Sequence, residues 1–217
     1  MPTPPVPTRC IHATDDPAPP TADRRRDGRP ARRRVRRYRR GPSRRPTHAP
    51  GTHAAHGAYE QLLPLADLSA RRLLTADLVA AAKWGTDSPI DDPARERQVL
   101  DEAARQAREV GADPDVTVRI FRDQIEANKV VQRGLYRRWD ADPSQAPTER
   151  PDLSEVREEI NRINGGLVRG IADSARARAS SGCAGTLTVA ALRVAHERRL
   201  DAPHMVALAR AVPSVCG

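Results

Sequence analysis

The chain has 217 residues, 37 of them Lys or Arg and 28 Asp or Glu, for a formal net charge of +9. That excess is local: residues 1–58 hold 11 of the 20 prolines and 14 basic residues against four acidic ones, a net +10, while the remainder carries 23 basic and 24 acidic residues, a net −1. The basic character therefore says nothing about partners of residues 59–217, and no apolar run reaches the roughly 18 residues that a membrane-spanning helix needs.

Residues 1–58 contain only Met1, Val6, Ile11 and Val35 as large aliphatic residues. Such a segment buries too little apolar surface to offset its ordering entropy, and it is expected to be a disordered Arg/Pro-rich leader. It has no apolar stretch of about 7–15 residues, so it does not read as a secretory signal, and its arginine pairs are not followed by one. Residues 59–217 form a single domain large enough for one core. With aromatic residues scarce, Leu, Val, Ile and Ala must fill that core, which favours an all-α bundle.

In chain order, a first helix is predicted from Tyr59 to about Trp84, with Leu62, Leu65, Leu68, Leu73, Val79 and Ala80 forming its apolar stripe. Pro64 is either tolerated in the first turns or delays the start. Residues 85–90 are a loop. Asp92-Pro93 opens a second helix, with an aspartate N-cap and proline at the first helical position, and Gly111 stops it. Asp113-Pro114 repeats that signal for a third helix running to about Trp139. A proline-rich connector leads to Asp152, whose Glu155 lies three residues on, a capping-box-like start to a fourth helix reaching about Ala177. The Gly165-Gly166 pair argues against this helix being straight. Two shorter helices, about 184–198 and 201–212, bring the total to six. No strand alternation occurs. Cys10 lies in the leader; Cys183 and Cys216 are either buried free thiols or a bridge that closes the C-terminal hairpin and implies an oxidising compartment.

Several polar residues fit this bundle poorly. Arg72 and Lys83 are eleven residues apart, near three helical turns, so they share a face, and Lys83 sits in the apolar run Val79-Ala-Ala-Ala-Lys-Trp84. Asp92, Arg95 and Glu96 occupy one turn. A cap explains Asp92, but a cation at Arg95 opposes the positive end of the helix dipole unless an anion lies nearby. Asn128 and Gln132, with Gln124 a turn earlier, fall beside an apolar stripe, where a site-facing role is expected. Arg157 follows the fourth cap. Helix cations and amides taken singly mostly face solvent. Together these groups suggest a small dianion bound between facing helices, because buried charge is costly unless paired.

The ordered set carries more information than its parts. The runs Arg72-Leu73, Val79-Ala-Ala-Ala-Lys83-Trp84, Pro89-Ile-Asp-Asp-Pro-Ala-Arg95-Glu96, Phe121-Arg-Asp-Gln-Ile-Glu-Ala-Asn128-Lys-Val-Val-Gln132 and Pro151-Asp-Leu-Ser-Glu-Val-Arg157 resemble chorismate mutases of the all-helical AroQ type. The likeness covers nearly all of residues 59–217 and is strongest to the exported gamma subclass. It implies a chain that supplies its own fourth-helix arginine, a Cys183–Cys216 disulfide in a C-terminal extension from 184 to 217, a secreted or periplasmic location, and a homodimer.

The resemblance further implies conversion of chorismate to prephenate, an intramolecular Claisen rearrangement without metal or cofactor. Arg72 and Arg157 would grip the two carboxylates, supported by Arg95 and Asn128. Lys83 and Gln132 would donate to the ether oxygen, where negative charge builds as the C–O bond breaks. Asp92 and Glu96 would receive or position the ring hydroxyl. Some members have glutamate where this chain has Gln132; glutamine needs no proton to donate, so activity is expected to be nearly flat across neutral pH. Two features sit awkwardly with export: no recognisable signal, and an arginine-rich leader that is then expected to be foreign to the mature protein. The rival reading is a polyanion-binding protein, taking nucleic acid or membrane surfaces through the 13 arginines between Arg24 and Arg45.

Overall fold

The computed structural model describes residues 50–217, with side chains from residue 56 onward. The leader expected to be disordered lies outside the described residues up to position 49. Among the described residues there are seven α-helices and no strand: α1 (Pro50–Lys83), α2 (Pro93–Glu109), α3 (Pro114–Ala141), α4 (Leu153–Asp173), α5 (Ala175–Arg178), α6 (Cys183–Glu197) and α7 (Ala202–Ala211), with short 3₁₀ turns at Pro143–Gln145 and Pro213–Cys216. None is long and apolar enough to cross a membrane.

Helix α1 is the axis of the bundle. Its buried Leu62, Leu65, Ala66, Ala70, Leu73 and Ala76 recur at spacings of three and four, and α3, α4 and α6 pack around it. It begins at Pro50, nine residues before the expected start at Tyr59, and carries Pro64 in its interior. Proline there withholds one amide from the helical ladder. The start signals of α2 and α3 act as the sequence suggests: Asp92 accepts a hydrogen bond from the Arg95 amide at 3.0 Å, and Asp113 accepts from those of Asp115 and Val116 at 2.8 and 3.1 Å. Gly111, at φ +72°, closes α2 in a left-handed turn.

Helix α4 runs unbroken through Gly165-Gly166. A Cβ on Gly166 would lie 3.1 Å from Leu68 Cδ2, and one on Gly170 would lie 3.4 Å from Leu65 Cδ1. These glycines let α4 approach α1 closely, so their propensity cost is set against packing. The fourth helix stops at Asp173, and Ser174 separates it from the single turn of α5, so the helix expected to reach Ala177 is two elements.

At the C-terminal end, Cys183 and Cys216 are joined in a disulfide closing a 33-residue separation. Loop-closure entropy assigns such a bridge about 3–4 kcal/mol. Reducing it, or Cys183→Ser, is expected to lower unfolding free energy by that amount in denaturant titrations while turnover is retained, because α6 and α7 contribute no cavity residue.

His204 ties α7 to α1. Its Nδ1 lies 2.6 Å from Asp201 and its Nε2 3.3 Å from Asp77, and these carboxylates, Asp77 foremost, raise its pKa to about 9 against the effect of burial. The folded value exceeds the unfolded one of about 6.5, so this stabilisation is complete below pH 6.5 and is lost as pH rises through about 9. Both carboxylates are half exposed, which reduces it to roughly 1–2 kcal/mol. Wild-type melting temperature should fall over that window more than that of His204→Gln; parallel curves would remove the clamp from the stability balance.

Candidate active site

One cavity between α1, α2, α3 and α4 gathers all eight polar residues singled out from the sequence: Arg72 and Lys83 from α1, Asp92, Arg95 and Glu96 from the start of α2, Asn128 and Gln132 from α3, and Arg157 from α4. Its apolar wall is Val79, Ile90, Val99, Ile125, Leu153 and Ile160. It encloses about 670 Å³ of atom-free space, part of it open to solvent. Among the described residues, no cluster of His, Cys, Asp or Glu is arranged to hold a metal ion.

Arg72 is buried, at 5% exposure. Its Nε donates to Asn164 Oδ1 and one Nη to the Gln124 carbonyl, each at 2.9 Å. Both acceptors are neutral, and among the described residues no carboxylate forms an ion pair with this guanidinium. Burial lowers its pKa to about 10. A buried cation with neutral partners is costly by itself, and an anionic ligand offsets that cost.

Lys83 is half-buried at the end of α1, its ammonium 2.7 Å from the Pro89 carbonyl of the loop before α2. Burial pushes its pKa below the usual lysine value; Asp92 opposes that shift and Arg157 adds to it. Lys83 and Arg157 thus feel each other across the cavity, an arrangement suited to a ligand of negative charge. Just beyond Lys83, Trp84 packs edge-on against Tyr136 and Trp139, with ring centroids 4.8 and 5.2 Å away, joining the ends of α1 and α3.

The amide pair on α3 has a defined sense. Asn128 Nδ2 donates to the Arg72 carbonyl at 3.2 Å, which turns Asn128 Oδ1 toward Gln132 to accept from its Nε2 at 2.7 Å. One N–H of Gln132 is thereby engaged and the other remains for a ligand. Gln132 is 4% exposed, and its Oε1 is buried without a hydrogen-bond partner.

Gln124 does not face the cavity, contrary to the reading that grouped it with Asn128 and Gln132. Its side chain is fully buried and donates to Ser69 Oγ and the Ala211 carbonyl, both at 2.9 Å. That face of α3 is covered by α7, which helical spacing alone does not reveal. Two contributors escaped the sequence reading. Asn164 orients Arg72, and its position seven residues after Arg157, two turns along the same face of α4, was the available signal. Lys129 lines the cavity at 7% exposure, and nothing local distinguishes it from a surface lysine.

Comparisons with known proteins return relatives of this chain. Residues 64–133 match the family described as chorismate mutase type II. The chain is 38% identical over 164 residues to a secreted chorismate mutase of Mycolicibacterium smegmatis, covering 76% of this chain and 91% of that protein. It is 36% identical over 156 residues to the secreted chorismate mutase of Mycobacterium tuberculosis, covering 72% and 78%. Among solved structures, chorismate mutase from Burkholderia phymatum superposes with a TM-score of 0.70 at 36% identity, covering 74% of this chain and 99% of that one. The chain belongs to the chorismate mutase family.

Proposed function

We propose that this cavity converts chorismate to prephenate. The observation that carries the reading is Arg72, a buried guanidinium with only neutral partners, opening into a space shared with Lys83, Arg95 and Arg157. Arg72 and Arg157 receive the two carboxylates in bidentate fashion, with Arg95 and Asn128 in support. Held at both ends, the enolpyruvyl chain folds over the ring in a near-attack geometry. Lys83 Nζ and the free N–H of Gln132 Nε2 point at the ether oxygen, whose negative charge grows as the C–O bond breaks ahead of C–C bond formation. Asp92 and Glu96 take the ring hydroxyl. Every atom of the product comes from the substrate, so the protein supplies position and field.

Incubating the purified chain with chorismate and following both compounds by NMR tests this. Stoichiometric prephenate is expected, and unchanged chorismate would overturn the reading. Because Gln132 donates without first gaining a proton, turnover should be flat from pH 5 to 8. On the alkaline side it falls as Lys83 deprotonates, earlier than an ordinary lysine would, because burial lowers its pKa. A steep change between pH 5 and 8 would place another titrating group at the ether oxygen.

Export is the location the Cys183–Cys216 bridge supports, since disulfides persist in oxidising compartments, and the mycobacterial relatives are themselves named as secreted. Recovery of the protein from culture filtrate or periplasm checks it. A homodimer is the proposed assembly, to be measured by light scattering.

A further inference from the structure

Lys129 is the one buried ammonium at the cavity that the reaction, as proposed above, leaves without a task. It is 7% exposed, on α3 beside Asn128, and lines the cavity. Its ammonium lies 2.7 Å from Glu126 Oε1, 2.9 Å from Glu96 Oε1 and 3.3 Å from Asp91 Oδ1. Burial works against its charge, but these carboxylates, Glu126 first, outweigh it and hold the pKa above the usual lysine value. Arg133, one turn on, also holds Asp91, with contacts of 2.7 and 2.8 Å to its two oxygens.

Glu126 and Arg133 share a helix with Lys129, so their contacts cost little in fold terms. Glu96 and Asp91 do not. They flank the N-terminus of α2, the segment that presents Ile90, Asp92 and Arg95 to the cavity and whose Pro89 carbonyl holds the Lys83 ammonium. Lys129 therefore reaches from α3 to the wall that faces it. Glu96 Oε1 is buried beside this ammonium and held by charge, without accepting a hydrogen bond, which leaves Oε2 as the oxygen available to a ligand.

We infer that Lys129 is a positioning residue, which fixes the Glu96 carboxylate so that its free oxygen meets the ring hydroxyl of the substrate. The inference rests on the mutase reading and adds a residue to it. The hydroxyl carries the same charge in substrate and transition state, so Lys129 acts on binding of both. Its loss appears in KM, in contrast to Lys83, whose loss appears in kcat.

The test is a double-mutant comparison on the full chain with chorismate as probe. Lys129→Met is expected to raise KM about tenfold or more, the scale of a charge-assisted hydrogen bond, with kcat within about threefold. The deciding pair is Glu96→Gln against Glu96→Gln/Lys129→Met. Removing Glu96 first takes away one carboxylate that Lys129→Met would strand, so this comparison stands even where the single variant does not fold. Equal KM values for the pair, within about twofold, are expected if Lys129 acts through Glu96, because coupled residues are non-additive. A further KM increase of the full single-variant size, or a wild-type KM in Lys129→Met, would overturn the inference. An inactive wild-type chain would instead sink the mutase reading.

Discussion

Lys83→Ala should lower kcat by about 10²–10³-fold or more, the usual consequence of losing a preorganised donor at a site of developing charge, while KM for chorismate moves much less. The expectation follows from where Lys83 sits. It is half-buried at the end of α1, beside the carboxylate of Asp92, and held at 2.7 Å by a loop carbonyl that cannot neutralise it. Its charge remains available to a ligand, and partial burial makes that charge worth more than it would be in bulk water. Steady-state kinetics on the variant checks this; a near-wild-type kcat would remove Lys83 from the mechanism. Lys83→Arg should not rescue, because the planar fork is longer and cannot place one donor where the ammonium stood.

Arg72→Leu should separate function from folding. Loss of a bidentate carboxylate contact predicts a fall in kcat/KM of about 10²–10⁴-fold. The stability change should stay within about 2 kcal/mol, because an unpaired buried charge is removed while Asn164 Oδ1 and the Gln124 carbonyl each lose a donor. A thermal melt and a kinetic run on the same sample read both. If unfolding free energy collapses while the residual folded enzyme keeps its kcat/KM, Arg72 is a structural residue and the dianion clamp loses its deepest member.

Much of this arrangement was legible in the sequence, for identifiable reasons. Asp92-Pro93 and Asp113-Pro114 are local signals that act through their own backbone, so the starts of α2 and α3 follow directly from them. The eight cavity residues were legible as an ordered set, although each alone resembles a solvent-facing group. What the sequence hid depends on distant neighbours. The N-terminal turns of α1 are built from small residues and histidines without an apolar stripe. Gly165-Gly166 looks like a helix breaker until Leu68 of α1 is seen lying against it. The direction of Gln124 is set by α7, some 87 residues on, where the Ala211 carbonyl accepts its hydrogen bond. Lys129 was invisible because its partners Asp91 and Glu96 come from another element.

The dependence of site on fold runs through α1 and α4. Close approach at Gly166 and Gly170 brings Asn164 against Arg72 and places Arg157 on the same cavity. A larger residue at Gly166 must displace Leu68, and any shift of α4 there moves Arg157 together with Asn164, the partner that orients Arg72.

In the proposed complex Arg72 and Arg157 take the two carboxylates while Lys83 and Gln132 meet the ether oxygen. The most direct measurement is a crystal structure with a bicyclic dicarboxylate ether that mimics the transition state. One carboxylate is expected on each arginine, with the ether oxygen within about 3.2 Å of Lys83 Nζ and Gln132 Nε2. An ether oxygen turned to the Val79–Ile125 wall, or a ligand bound outside the cavity, would contradict it.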